Sequence, residues 1–219
     1  MPGSIEEIFD AFAAPFSVGQ ILVQKKEGAA FVLTHRDDAS LNQPQVYRDA
    51  EDAIGIAKCD DAGNYRPLKT APNLRHGWRL ELATVEKLRR ALDYFYPSRI
   101  AVFAAWKSGH LKTTALRETL NRQSGMYRVA ARISDPQIND LVANFCRSDS
   151  GCLRSILWKR DRNGGIASTK LPKEKFDPGY AQATAEPRSS PAATIPLLCQ
   201  EACNLLVAEC RKVVKGENT

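Results

Sequence analysis

Asp135-Pro-Gln-Ile-Asn-Asp-Leu-Val-Ala-Asn-Phe-Cys-Arg-Ser-Asp-Ser-Gly-Cys152 carries the reading of the second half of the chain. Ile138, Leu141, Val142 and Phe145 recur at helical spacing, with Asp135 as the expected cap and Pro136 at the first helical position. The helix delivers the chain into Cys146, and Arg147-Ser-Asp-Ser-Gly151 turns it so that Cys152 returns beside Cys146. Gly151 permits close backbone approach there, and amides around sulfur stabilise thiolate ligands.

The remaining cysteines extend the pattern. Cys199 and Cys203 are four apart in a segment read as a helix from Pro196 to about Val214. On a helix that spacing puts both thiols on one face, about 6 Å apart along the axis. The positive end of the helix dipole favours thiolate charge in the first turns. Two such pairs meeting make a four-cysteine site of Cys146, Cys152, Cys199 and Cys203. Cys210 lies about 10 Å along the helix from Cys203, too far for the same site, and continues an apolar stripe with Val207 and Val214. Cys59 stands alone and reads as a small apolar residue. The spacing admits an iron–sulfur cluster, a zinc ion, or structural or redox thiols; zinc knuckles usually enclose two to four residues rather than five.

Ahead of this half lies a small α+β region. Ser4-Ile-Glu-Glu7 has the form of a capping box for a short helix faced by Ile5, Ile8, Phe9 and Phe12. Gln20–Gln24 and Ala30–Thr34 read as strands of a hairpin, with Gly28 in its turn. A short helix is expected from Asp49, then strands at Tyr65–Leu68 and Trp78–Leu82. Helices follow behind Thr84, over Ile100–Lys107 and over Thr114–Gln123. The fold class expected is therefore α+β. A small α+β region spans 1–82 and a mainly helical region 83–219. Within the latter, residues 161–195 are rich in Pro, Gly, Ser, Ala and Lys and read as a flexible excursion.

Composition narrows the function. The chain has 219 residues, 43% of them hydrophobic, a formal charge of +6 and six cysteines. The apolar content excludes wholesale disorder. No apolar run approaches the roughly 20 residues of a membrane helix, and the acidic start lacks a signal-peptide pattern, so the expected address is the cytoplasm. Disulfides are disfavoured in that compartment. The basic residues are dispersed among acidic ones, without the clustered, aromatic-interleaved pattern of a nucleic-acid surface. The sequence contains no phosphate-binding glycine loop, nucleophile elbow or H-E-x-x-H pair, and no catalytic residue is assigned. His35, His76 and His110 are widely spaced and read as surface or hydrogen-bonding residues.

Arg117-Glu-Thr-Leu-Asn-Arg-Gln-Ser-Gly-Met-Tyr-Arg128, Phe145–Cys152, Ile156-Leu-Trp158 and Cys199-Gln-Glu-Ala-Cys-Asn-Leu-Leu-Val-Ala208 together resemble one family. They are similar to the iron–sulfur region fused to CbiX-type sirohydrochlorin chelatases in some bacteria. Tyr65–Pro72 and Gly77-Trp-Arg79 extend the likeness over most of the chain. The resemblance implies a [4Fe–4S] cluster on Cys146, Cys152, Cys199 and Cys203, and no role for Cys59 or Cys210. No histidine pattern of the chelatase domain is seen, so chelatase activity is not carried over. What the resemblance implies is a cluster-binding accessory or electron-transfer protein linked to tetrapyrrole metabolism, with a chelatase or redox protein as partner. A zinc-stabilised interaction or nucleic-acid-binding protein and a tetrapyrrole-binding enzyme are the alternatives. Arg122, Arg128, Arg147 and Arg154, near the cysteines in sequence, are candidate contacts for a carboxylate-rich tetrapyrrole or an acidic partner.

Overall fold

In the computed structural model the described residues are 7–9, 15–26, 29–38, 40, 42–57, 74–123, 125–146, 155–158 and 193–217. The hairpin forms as expected: β2 (Ile21–Lys26) pairs antiparallel with β3 (Ala29–His35), in a register that sets Val23 opposite Leu33. Ile21 and Val23 alternate inward while Leu22 and Gln24 are only partly covered, the period of two that a strand with one buried face requires. β1 (Phe16–Val18) and β5 (Trp78–Leu82) flank the hairpin antiparallel. β4 (Gln45–Tyr47) and β7 (Ala193–Ile195) close the two edges by parallel pairing, giving the order β4-β5-β3-β2-β1-β7. Gly28 and Tyr65–Leu68 lie outside the described residues.

Helices cover this sheet. α1 (Asp52–Ala57) starts three residues later than expected, because Asp49 forms the turn before it; the Asp49 amide donates to Asp52 Oδ2 at 3.1 Å. α2 (Val85–Phe95) is capped by Thr84, whose hydroxyl accepts from the Lys87 amide. Its buried face is Leu88, Ala91, Leu92 and Phe95, and Phe95 stacks on Trp78 of β5 with ring centroids 5.4 Å apart. α3 (Arg99–Lys107) follows, burying Ile100, Val102 and Phe103. At the tight turn between β1 and β2, Gly19 holds φ +56°, and a Cβ there would stand 2.6 Å from the Tyr96 hydroxyl. That hydroxyl accepts from the Gln20 amide at 2.9 Å, so this turn needs glycine.

The chain forms two compact units, Met1–His110 with Lys173–Leu197, and Leu111–Pro172 with Leu198–Thr219. The division therefore falls after α3 rather than at 82/83. The apolar face of α2 buries against the sheet, so α2 and α3 belong to the first unit.

The second unit holds α4 (Leu116–Arg122), a 3-10 segment (Gly125–Arg132), α5 (Asp135–Phe145) and α6 (Asn204–Lys215). It also contains a two-strand parallel ladder of β6 (Ser155–Ile156) and β8 (Leu198–Cys199). Its core is Leu116, Leu120, Ile133, Ile138, Val142, Ile156, Trp158, Leu206, Val207 and Cys210. The cap of α5 is Ser134, not Asp135: Ser134 and Gln137 form a complete capping box, and Pro136 sits within the first turn. Asp135 is occupied elsewhere, taking Arg117 Nη2 at 2.7 Å while Arg117 Nη1 donates to the Ala131 carbonyl. Of the expected 161–195 excursion, residues 161–192 lie outside the described residues, and its last three form β7. Sheet unit and helical unit together make the α+β class.

Candidate metal centre

Cys146 is the residue on which α5 ends. Its amide donates to the Val142 carbonyl at 3.1 Å, and only 7% of it is exposed. The expected helix from Pro196 does not form. β8 occupies Leu198–Cys199, and α6 begins only at Asn204. Leu197 and Leu198 are buried, and an apolar run of that length satisfies a covered strand as well as a helix. Cys199 and Cys203 therefore do not share a helical face. Cys199 closes β8 opposite Ile156, and Cys203 is the N-cap of α6, with extended backbone (ψ 160°) and its carbonyl accepting from Val207.

Different local structure still brings three of the four expected cysteines together. Cys146, Cys199 and Cys203 line one pocket, with Phe145, Ile156, Trp158 and Leu206 as its apolar walls. None of the described cysteines is in a disulfide. Cys203 stands at the N-cap of α6, and its side chain makes no capping hydrogen bond to the first amides of that helix. Cys199 Sγ meets the Glu201 carbonyl at 3.0 Å, and the Gln200 carbonyl is tied to the Thr114 amide at 3.1 Å. Cys152 and Cys59 lie outside the described residues. Cys210 is not in the pocket wall; it is fully buried, and burial pushes its thiol up to about 12.

One buried group shows what these residues suit. Trp158 is 1% exposed, lines the pocket, and its Nε1 has no hydrogen-bond partner among the described residues. An unpaired buried N–H costs about 1–3 kcal/mol. A cluster or thiolate sulfur is an acceptor that relieves it, and N–H donors to sulfur are a recurring stabiliser of iron–sulfur sites. Sulfur donors in an apolar wall, with a spare N–H, fit an iron–sulfur cluster. Sequence reading missed Trp158, because only the packing leaves its nitrogen unpaired.

Of the four arginines considered for ligand contact, Arg122 is ion-paired with Glu118, and Arg147 and Arg154 lie outside the described residues. Arg128 is exposed on the 3-10 segment. His110 is exposed and His76 is hydrogen-bonded to Asp38 at 2.7 Å, in keeping with surface or hydrogen-bonding histidines, whereas His35 is buried.

Both units match known families. Residues 108–212 match the 4Fe-4S iron-sulfur cluster binding domain, and residues 5–109 match the DR2241 stabilising domain. Together the two matches describe a chain in which a region similar to that stabilising domain precedes one similar to a 4Fe-4S cluster binding domain, and the second match supports an iron–sulfur cluster-binding role. Among solved structures it is similar to DR2241 from Deinococcus radiodurans. That is a multi-domain protein with structural similarity to chelatases and two additional novel domains. The identity is 26% over 93% of this chain, with a TM-score of 0.70. This chain spans 39% of that protein's length. No curated protein matches. Among the described residues no helix is long and apolar enough to cross a membrane.

Proposed function

We propose that the protein holds one [4Fe–4S] cluster on Cys146, Cys152, Cys199 and Cys203. In this reading it serves as an accessory or electron-transfer module in tetrapyrrole metabolism. The observation that carries the reading is the pocket into which the end of α5, the end of β8 and the cap of α6 each contribute a cysteine. Bound there, the cluster supplies one-electron redox chemistry. The chain's own residues do the rest. Phe145, Ile156 and Leu206 keep water from the sulfurs. Trp158 Nε1–H offers sulfur a hydrogen bond. By joining three elements through sulfur, the site also clamps α5 to α6.

The tetrapyrrole link and a chelatase or redox partner are supported by the likeness to a chelatase-like protein, of which this chain matches part. The reducing cytoplasm suits the four described thiols, none of which is in a disulfide.

Anaerobic reconstitution followed by iron and acid-labile sulfide analysis tests the ligand set. Four irons and four sulfides per chain, lost when Cys146 and Cys199 become serine, are expected. A colourless protein retaining only zinc, or full iron in the doubly substituted variant, overturns it.

A further inference from the structure

The first unit gathers a second set of metal-binding side chains, remote in sequence from any cysteine ligand. β3 ends at His35, the 3-10 turn Arg36–Asp38 follows, and His76 precedes β5. The antiparallel ladder that sets Thr34 opposite Arg79 carries the end of β3 beside the residues leading into β5. It leaves the His35 and His76 rings with centroids 4.0 Å apart. Asp38 joins them: its Oδ1 meets His76 Nδ1 at 2.7 Å, and its Oδ2 accepts from the Gly77 amide at 2.7 Å. Donor atoms, one from each of His35, Asp38 and His76, all lie within 4.8 Å of one another.

We infer that His35, Asp38 and His76 form a binding site for a single divalent transition-metal ion of the zinc or cobalt type. Two imidazoles and a carboxylate are the donors such ions select, whereas magnesium and calcium take oxygen ligands. Ligands held at about 2.0–2.2 Å from one ion stand at most about 4.4 Å apart, so the three donors close on an ion by side-chain rotation once the Asp38–His76 hydrogen bond opens. His76 is 44% exposed at its side chain, which gives room for that turn and leaves a coordination position open to water or a metal-donating partner.

A hydrogen-bonded turn explains Asp38, His76 and Gly77, but it does not explain His35. That residue is 1% exposed, and its Nε2 has no hydrogen-bond partner among the described residues. Its Nδ1 accepts from the Asp37 amide at 3.2 Å, and the Asp37 carboxylate stands 3.7 Å from the same nitrogen. A metal on Nε2 requires the ring proton on Nδ1, which then gives up the contact from the Asp37 amide and is held by the Asp37 carboxylate once it closes from 3.7 Å, a carboxylate–histidine–metal arrangement. Gly77 fixes one oxygen of Asp38 in the same way, leaving Oδ1 for the ion.

The test uses the cluster-loaded protein freed of loose ions by anaerobic gel filtration, then titrated with cobalt(II) and, separately, zinc(II). We expect one cobalt per chain with ligand-field bands and no thiolate-to-cobalt charge transfer. His76→Ala and Asp38→Asn, both checked for native circular dichroism, should weaken it at least tenfold. Asp37→Asn, which touches His35 but none of the other donors, should weaken it about 10–100-fold. Absence of cobalt binding overturns the inference. So does binding that carries a thiolate band, or binding unchanged in both His76→Ala and Asp38→Asn. The spectral signature separates this site from the cysteines, so it stands or falls independently of the cluster.

Discussion

Ile156 stands directly opposite Cys199 in the two-strand parallel ladder of β6 and β8, and the Leu157 amide donates to the Cys199 carbonyl at 2.9 Å. Two residues on each side make a short ladder, which by itself is weak. Its effect is positional. It sets Cys199 in the wall that Ile156 and Trp158 share with Cys146 and Cys203, although Cys146 and Cys199 are far apart in sequence.

A site assembled from the end of one helix, a minimal ladder and the cap of another helix depends on its metal for rigidity. Removing the cluster with a chelator under anaerobic conditions should lower hydrogen-exchange protection over the last turn of α5, β8 and the first turn of α6. The β2–β3 hairpin should keep its protection. Equal protection of all these segments before and after removal would show that the clamp does not exist.

Trp158→Phe removes Nε1 and keeps an aromatic wall. If that N–H donates to sulfur, it stabilises the more negative, reduced cluster. The variant should then bind the cluster with a reduction potential shifted negative by some tens of millivolts, as read by anaerobic redox titration. An unchanged potential would mean the nitrogen points elsewhere.

Cys210 separates a ligand from a core cysteine. Cys210→Ala should retain full iron while losing about 1 kcal/mol of stability from the methylene-sized void. Its thiol also gives a pH signature. Burial raises the folded value to about 12 from the ordinary 9.0, so the folded state holds a proton that the unfolded chain gives up. That contribution is complete below pH 9 and is lost as pH rises from 9 towards 12, at up to about 1.4 kcal/mol per pH unit. Urea midpoints measured at pH 8 and pH 10.5 should therefore fall more steeply for the natural chain than for Cys210→Ala. Parallel slopes would contradict the burial argument.

Gly19→Ala places a Cβ 2.6 Å from the Tyr96 hydroxyl and 3.0 Å from Leu197 Cδ1, at a φ that alanine adopts only with strain. The combined cost should be about 2–4 kcal/mol, read from denaturant unfolding of the first unit. The double variant with Tyr96→Phe should recover little of it, since Tyr96 Cζ, 2.7 Å from the added Cβ, remains and the Gln20 amide loses its acceptor; full recovery would place the cost in the hydroxyl contact alone.

Local patterns were legible where the chain answers to near neighbours. The alternation of Ile21 and Val23, the stripe Leu88–Leu92–Phe95 and the periodicity of Ile138, Val142 and Phe145 each predict the element that forms. The cap of α5 was misread by one residue because Ser134 and Asp135 are both good caps; the choice went to Ser134 because Arg117, eighteen residues earlier, engages Asp135. The segment from Pro196 was misread because Leu197, Leu198 and Ala202 fit a helical face and a buried strand equally. Pairing with β6, invisible from within the segment, decided it.

By itself the sequence determined the α+β class and the supply of cysteine sulfur near the end of α5 and the start of α6, since residue type and short-range spacing carry those. The tertiary structure decided how Cys199 and Cys203 reach one pocket, that Trp158 lines it with an Nε1 that has no partner among the described residues, and that His35, Asp38 and His76 meet. Each of these depends on strand pairing or core packing between segments remote in sequence. No local pattern encodes such meetings, because the energy that enforces them comes from burying one segment against another.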